Sequence, residues 1–288
     1  MSTGGLGYLG PEGSFSHQAA RRWLAISGCS FPLVPAGDLP ALFASAERGK
    51  LEQIVCPLEN SLEGSVALVL DLWLHESTLR QVGEVVLPVQ QWLLVRPGVP
   101  MRSVSRVLSH PHALAQCRRT IASVLPGVPQ VPASSTAEAA RLVAQAPQER
   151  WAAVGSLEAA RRWGLEPVLG PMEDGGANVT RFGILGWRSP ARTGRDRTTL
   201  VVGSLEDRPG LLRDILDVLA RRGLNLTRIE SRPSREGLGR YLFLMDMEGH
   251  ATDPGVADAL ASVRRLTGYL RLLGSYPCDP AWGGPASP

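Results

Sequence analysis

Five times in the first two-thirds of this chain, a short apolar run stops at serine, threonine, asparagine or glycine and a helix-period segment follows. The runs are Gly7–Gly10, Gln53–Cys56, Val104–Leu108, the stretch at Val131, and Ala152–Val154. They lead into Glu12-Gly13-Ser14, Glu59-Asn60-Ser61, Ser109-His110-Pro111, Ser134-Ser135-Thr136 and Gly155-Ser156. No other feature restricts the fold as much, because repeated strand–helix units close up as an α/β domain with a largely parallel sheet. Helices are predicted from about Ser14 to Ser27, after Asn60, from Pro111, from Ser135, and from Ser156 to about Trp163. Leu62, Val66, Val69, Leu70 and Trp73 would share a face of the second, and Leu114, Cys117, Ile121 and Val124 a face of the third. Asn60 with Glu63 and Ser135 with Glu138 have the capping-box spacing, and Pro111 takes the favoured first helical position.

In such a sheet, ligands bind where strands end and helices begin. The free N–H groups and positive dipole ends there suit an anion. Each junction alone is explained by N-capping. Five together, with an arginine nearby, point to a small polyanionic ligand. The arginine belongs to Asn178-Val179-Thr180-Arg181-Phe182, which opens the apolar run Gly183–Gly186. In a regular strand Thr180 and Phe182 face one way and Arg181 the other. A site using all three requires irregular backbone before the strand.

A chain of 288 residues is long enough for two or three domains, and 44% hydrophobic with 20% charged residues is an ordinary globular balance. A net charge of +3 without a basic block gives no case for nucleic acid. No apolar run reaches membrane-spanning length and the first residues lack a signal-peptide pattern, so a cytoplasmic protein is expected. Cys29, Cys56, Cys117 and Cys278 are scattered without CxxC pairing, and the five histidines have no metal-binding spacing. Neither disulfide, metal nor cofactor is expected, and Cys117 reads as core.

Residues 187–197 break periodicity with proline, glycine and four arginines, reading as a solvated connector between domains. From Thr198 the predicted order is strand, helix (Pro209 to Arg222), strand, strand, helix (Pro254 to Leu266), strand, a βαββαβ ferredoxin-like arrangement. The residues after Pro277 read as a flexible tail, 278–288.

Gly10-Pro11-Glu12-Gly13-Ser14-Phe15-Ser16, Pro57–Gly64 (PLENSLEG), Ser109–Cys117 (SHPHALAQC) and Asn178–Phe182 occur in the order seen in prephenate dehydratases, and the resemblance covers nearly the whole chain. Ser14, Cys56 and His112 depart from the residues frequent in that family, and Ser14 keeps the hydroxyl. The last third, with Asp207–Leu212 (DRPGLL) and Asn225–Pro233 (NLTRIESRP), resembles the phenylalanine-sensing ACT domain of the same family.

The resemblance implies an α/β catalytic region over 1–187, two-lobed like a periplasmic binding protein. Lobe 1 would take about 1–80 and 170–187 and lobe 2 about 81–169, with the ACT domain over 198–277. It implies decarboxylating dehydration of prephenate to phenylpyruvate, with no cofactor, restrained by L-phenylalanine. Thr180 would assist departure of the hydroxyl and Arg181 would hold a carboxylate, unless it only pairs with a neighbouring acid. Asn60 and Ser61 would donate to the substrate; Glu59 and Glu63 are the carboxyl candidates, Glu63 equally readable as a capping partner. Ser14, Ser109, His110, Ser135, Thr136 and Ser156 would bind anionic groups, His110 also reading as a helix cap, and Phe182 would line the cleft. Effector contacts would come from Pro209, Gly210, Leu211, Leu212, Asn225, Leu226, Glu230 and Ser231 at the interface of a homo-oligomer, dimer or tetramer. Leu211, Leu212 and Arg213 depart from the residues usual after that glycine, and a larger Leu211 would narrow the effector pocket. A chain beginning its first strand by Gly7 is expected to be monofunctional. Arogenate as substrate, or a non-catalytic amino-acid sensor, are the other readings; the intact Thr180-Arg181-Phe182 speaks against the sensor.

Overall fold

The computed structural model describes residues 4–176, 178–204, 208–235, 237 and 240–281. It divides into two compact units, Met1–Ser77 with Val85–Phe182, and Thr78–Glu84 with Gly183–Pro288. Two sheets lie largely in the first unit, one of them running on into the second through residues 80–84 and 183–186. One contains β1 (Gly5–Leu9), β2 (Leu33–Ala36), β3 (Leu51–Asn60), β4 (Gly64–Ser65), β5 (Arg80–Pro88) and β11 (Val179–Gly186), in the order β2-β1-β3-β11-β5 with β4 paired to β3. The other contains β6 (Trp92–Val95), β7 (Arg106–Ser109), β8 (Gln130–Pro132), β9 (Trp151–Gly155) and β10 (Glu166–Leu169), in the order β10-β6-β9-β7-β8. β1 runs parallel to β2 and β3, and β7 parallel to β8 and β9. The alternation predicts the α/β character and the family resemblance the two lobes; the second sheet is mixed rather than largely parallel, because β6 runs antiparallel to β9 and β10.

Helices α1 (Phe15–Ser27), α2 (Leu39–Glu47) and α3 (Ala67–His75) accompany the first sheet; α4 (Pro111–Gln116), α5 (Arg118–Val124), α6 (Thr136–Ala144) and α7 (Leu157–Trp163) accompany the second. The second sheet is buried on both faces. Leu93, Val107 and Val154 pack with Leu114, Cys117 and Ile121 on one side. Their strand neighbours Leu94, Leu108 and Ala153 pack with Ala139, Ala140, Val143 and Ala159 on the other. Alternation of side chains along a strand produces this split, and each buried valine or leucine contributes about 1.5–3 kcal/mol.

Three local expectations are corrected. The segment after Asn60 is a hairpin turn, with Glu59 and Asn60 registered against Ser65 and Gly64, and the helix begins only at Ala67. Asn60 Oδ1 still accepts from the backbone of Leu62 (2.9 Å) and Glu63 (3.2 Å), so the capping chemistry is present but closes a turn. The helix from Pro111 breaks at Cys117 into α4 and α5. A remote carboxylate caps the new start: Asp174 accepts from Arg119 N (2.6 Å) and from Thr120 N and Oγ1 (both 2.8 Å). Finally β5 lies in the first sheet, so lobe 2 begins after Pro88 rather than at residue 81. Its buried Gln81 and Glu84 interrupt the apolar pattern by which a strand is read.

The second unit holds β12 (Asp196–Ser204), α8 (Leu211–Ala220), β13 (Leu226–Pro233), β14 (Tyr241–Glu248), α9 (Pro254–Thr267) and β15 (Gly268–Pro277). The sheet order β13-β14-β12-β15 is that of a ferredoxin-like fold, antiparallel at every step. Leu200, Val202, Met245 and Met247 face the helices and pack with Leu211, Ile215, Leu219, Val256 and Val263. The other face mixes buried Val201 and Leu244 with a polar cluster, in which Thr199 Oγ1 lies 2.7 Å from Asp246 Oδ1 and 2.9 Å from the Tyr276 hydroxyl. At Gly274 (φ 157°) a Cβ would stand 2.2 Å from the Gln81 carbonyl oxygen, so only glycine permits that approach.

Two expectations for this region change. Arg197, counted with the solvated connector, is 2% exposed and pairs at 2.6 Å with the fully buried Glu84. The tail is pinned beyond Pro277: Cys278 N donates to Arg195 O (3.0 Å) and Asp279 N to Glu84 Oε1 (3.2 Å). The remainder of the expected tail, 282–288, lies outside the described residues, as does Asp207.

All four thiols are free. Burial pushes Cys117 up to about 12 and Cys278 up to about 11, and raises fully buried Cys56 as well. The nucleophile is the thiolate, so native protein treated with iodoacetamide at pH 7.5 should be labelled at half-exposed Cys29 first. Mass spectrometry of the digest checks this; equal labelling of Cys56 or Cys117 in folded protein would contradict the packing described.

Candidate active site and effector region

The carboxyl ends of the strands in both lobes open on one cleft of about 360 Å³. That size suits a small organic ligand. The N-termini of three helices reach it, one from the first lobe and two from the second: Ser14, Phe15 and Ser16 at α1, His110, His112 and Ala113 at α4, and Ser134, Ser135 and Thr136 at α6. Leu9, Val89, Ala113 and Phe182 supply apolar wall, and no lysine or arginine is among the lining residues. An anion in this cleft would meet helix dipoles and neutral donors.

Ser14 and Ser135 line the cleft and cap their helices. Ser14 Oγ accepts from His17 N and donates to Leu9 O (3.1 Å), and Ser135 Oγ accepts from Glu138 N (3.0 Å). Ser14 therefore presents the helix terminus itself, whereas the Ser135 hydroxyl keeps its hydrogen. The Glu138 carboxylate turns to Arg141 rather than back to the cap, and that pairing lowers its pKa.

The floor is built from the two segments that cross between lobes. Asn178, 4% exposed, accepts from Asn60 Nδ2 (2.6 Å) and donates to Gln116 Oε1 (3.2 Å). Asn60 Nδ2 also donates to Thr180 Oγ1 (2.9 Å). Both hydrogens of the Asn60 amide are thus used, and its oxygen holds the turn at 62–63. Asn60 is a scaffold for Thr180, not the substrate donor expected of it. With an acceptor position of Thr180 Oγ1 filled by Asn60, the threonine hydrogen is left to donate into the cleft.

Glu63 bridges the lobes. Its Oε1 accepts from Gln116 Nε2 (2.9 Å) and lies 3.0 Å from His112 Nδ1. It is the one carboxylate among the lining residues. His110 Nδ1 accepts from His112 N (3.3 Å), which caps α4 and leaves the ring proton on Nε2. Burial, then the neighbouring His112, lowers the His110 pKa, so near pH 7 it is a neutral donor.

Five expected site residues do not line the cleft. β11 is regular from Val179, so Arg181 points away from Thr180 and Phe182 and pairs with Glu59 at 3.1 Å. The side chain of Arg181 is 5% exposed, and this ion pair takes the place of the carboxylate clamp expected of Arg181 and the acid role considered for Glu59. Ser61 bonds β11 through both groups, N–H to Val179 O (2.9 Å) and Oγ from Val179 N (3.0 Å). Ser109 is fully buried and donates to Val154 O (2.6 Å). Ser156 caps α7 and reaches Gly13 O at 3.3 Å. Gln91, His112, Gln116, Ser134 and Asn178 line the cleft without having been singled out. Asn178, Gln116 and His112 lay inside the recognised motifs; nothing in the sequence marked Gln91.

In the ferredoxin-like unit, Pro209–Leu212 form the entry to α8, with Gly210 left-handed at φ 84°. Leu211 is 6% exposed and belongs to the helix-facing core, so its bulk fills that core rather than a ligand pocket. Leu212 and Leu226 pack at the edge of the same core. Glu230 pairs with Arg228 (2.7 Å), and Ser231 faces outward. Asn225 Nδ2 donates to Glu248 Oε1 (3.2 Å). The register sets Leu226 and Thr198 both opposite Met247, whereas Gly203 pairs with Leu242 near the other end. Asn225 therefore stands at the opposite end of the unit from the α8 entry, separated by the ten-residue helix, about 15 Å.

A two-lobed α/β cleft lined by helix termini, on a chain that continues into a ferredoxin-like unit, is the architecture of a small-molecule-binding protein with a regulatory-type module. Comparison with known proteins makes this specific: residues 6–190 match the family model of prephenate dehydratase and residues 198–265 that of the ACT domain. The chain belongs to the prephenate dehydratase family. The prephenate dehydratase of Mycobacterium marinum is 39% identical over 296 residues, covering 98% of this chain and 91% of the relative. The solved structure of the Arthrobacter aurescens prephenate dehydratase in complex with L-Phe superposes with a TM-score of 0.84 at 37% identity, covering 94% of this chain and 89% of that one. GqqA, described as a quorum quenching acylase, also shares the fold, with a TM-score of 0.82 at 31% identity over 96% and 98% of the two chains.

Proposed function

We propose that this chain catalyses the decarboxylating dehydration of prephenate to phenylpyruvate and that L-phenylalanine restrains it through the ACT unit. The observation that carries the reading is Thr180, in a chain of this family, lining the cleft with its oxygen accepting from Asn60, which leaves its hydrogen available to a ligand. In the reaction the bond to the ring carboxylate breaks as carbon dioxide leaves. Its electron pair enters the ring and the C–O bond to the hydroxyl breaks. The departing hydroxide takes up a proton to become water. Aromatisation supplies the driving force, so the protein's part is to hold two carboxylates, exclude water and assist the leaving oxygen. The termini of α1 and α6 suit the carboxylates, and the ring sits against Phe182 and Val89. A hydrogen bond from Thr180 to the leaving oxygen is worth a further ~10²–10⁴-fold.

The separation of Asn225 from the α8 entry supports an effector site completed by a second copy of the chain. This makes the enzyme a homo-oligomer through its ACT units, operating in the cytoplasm. L-Phenylalanine restrains turnover only if it binds the less active state more tightly.

The acylase neighbour invites comparison. Attack by a hydroxyl needs a base within hydrogen-bond reach. Among the described cleft residues, Ser14, Ser135 and Thr180 bond to backbone groups or to Asn60 and not to a histidine ring. The dehydratase reading is therefore preferred.

Phenylpyruvate formation by purified protein, with and without L-phenylalanine, tests it. Turnover on prephenate that falls as L-phenylalanine rises is expected. Folded protein that turns over arogenate but not prephenate moves the reading to arogenate dehydratase, and protein inert to both while binding phenylalanine is a sensor.

A further inference from the structure

Glu63 is the one carboxylate among the residues lining the cleft, and no lysine or arginine stands beside it there. Its backbone is fixed by the turn, where Glu63 N donates to Asn60 Oδ1. Its carboxylate reaches the second lobe, where α4 meets it from one face, since His112 and Gln116 are four residues apart. Gln116 Nε2 donates to Glu63 Oε1 at 2.9 Å, and His112 Nδ1 lies 3.0 Å from the same oxygen. The side chains of His112 and Glu63 are 65% and 44% exposed, so the pair is open to a ligand rather than sealed in the core. His110, ring to ring 5.2 Å from His112, brings no cation of its own, because burial and then His112 lower its pKa.

We propose that His112, by keeping Glu63 paired, sets the preference of the cleft for prephenate over arogenate; the assignment rests on the prephenate reading above. The two molecules share the ring, its hydroxyl and both carboxylates, and differ where prephenate has a ketone and arogenate an ammonium. Contacts at the ring cannot tell them apart, whereas charge near the side chain can. A bare carboxylate in the wall repels a ligand that carries two carboxylates and attracts one that carries an ammonium. Charge acts over several ångströms in a poorly solvated cleft, so Glu63 takes part without touching the ligand. Gln116 by itself is a weaker restraint, because its amide is neutral and its oxygen is engaged by Asn178 (3.2 Å). His112 thus determines specificity through Glu63 and has no part in bond breaking, which falls to Thr180.

The test sets wild type beside His112→Leu and the double variant Glu63→Gln/His112→Leu, each assayed on prephenate and on arogenate. In His112→Leu, KM for prephenate should rise and KM for arogenate fall. The ratio of the two kcat/KM values should move toward arogenate by about 5- to 50-fold, between the worth of a screened pair and a desolvated one. Where arogenate is bound but not turned over, its inhibition constant against prephenate replaces KM. The double variant should abolish the shift, because no charge is left to unmask. A pair that merely ties the lobes together would weaken both substrates alike, and Glu63→Gln would not rescue it; either result overturns the assignment. So would an unchanged ratio in His112→Leu. If His112→Leu does not fold, His112→Ala, alone and with Glu63→Gln, decides. Wild-type protein that does not turn over prephenate overturns the reaction itself and this assignment with it; active wild type with an indifferent His112 variant overturns the assignment alone.

Discussion

Replacing Thr180 with valine should cut kcat/KM for prephenate by about 10²–10³-fold, with most of the loss in kcat. Valine keeps the shape and the β-branching that suit β11, and it removes only the hydroxyl. Asn60 loses one acceptor but keeps Asn178 at 2.6 Å, so the expected stability cost is about 1 kcal/mol. Thr180→Ser keeps the donor and should retain most of the activity. Steady-state assays beside circular dichroism separate the effects. Wild-type turnover by folded Thr180→Val would remove the threonine from the reaction. Arg181→Lys, by comparison, should act through stability, because its guanidinium meets Glu59 and not the cleft.

Replacing Arg197 with methionine should destabilise the C-terminal unit by about 3–5 kcal/mol, the largest single effect expected on folding. Glu84 is fully buried, and the 2.6 Å pairing with Arg197 and the bond from Asp279 N balance its charge. Without the guanidinium, that carboxylate is left buried without its counter-charge. The double variant Glu84→Leu/Arg197→Met should recover much of the loss, since an apolar pair has no charge to desolvate. Urea unfolding of the wild type, both single variants and the double variant gives the coupling energy. A double variant no more stable than Arg197→Met alone would show that the arginine matters through other contacts.

The Arg197 case marks where sequence reasoning stopped. Three neighbouring arginines among proline and glycine made residues 187–197 read as a solvated connector. The partner, Glu84, is 113 residues away on a strand that its own charge obscured. The same holds for the α4–α5 break: Asp174, the carboxylate that caps α5, lies more than fifty residues along the chain. Within the site, Thr180, Phe182, Ser14, Ser135 and Thr136 were legible because motif and junction spacing are local. Ser109 and Ser156 share that local pattern, yet their hydroxyls turn to Val154 O and Gly13 O.

The sequence by itself determined the α/β alternation, the ferredoxin-like order of the last third, the helix termini that face the cleft and the family to which the chain belongs. The first three follow from side-chain period, capping residues and turn residues, whose physics spans only a few positions; the family follows from four motifs whose order resembles that of prephenate dehydratases. The tertiary structure alone decided which polar groups are free to meet a ligand. Asn60 is consumed by Asn178 and Thr180, and Arg181 by Glu59. Hydrogen bonds are satisfied between groups that folding brings together, and those partners stand more than a hundred residues apart.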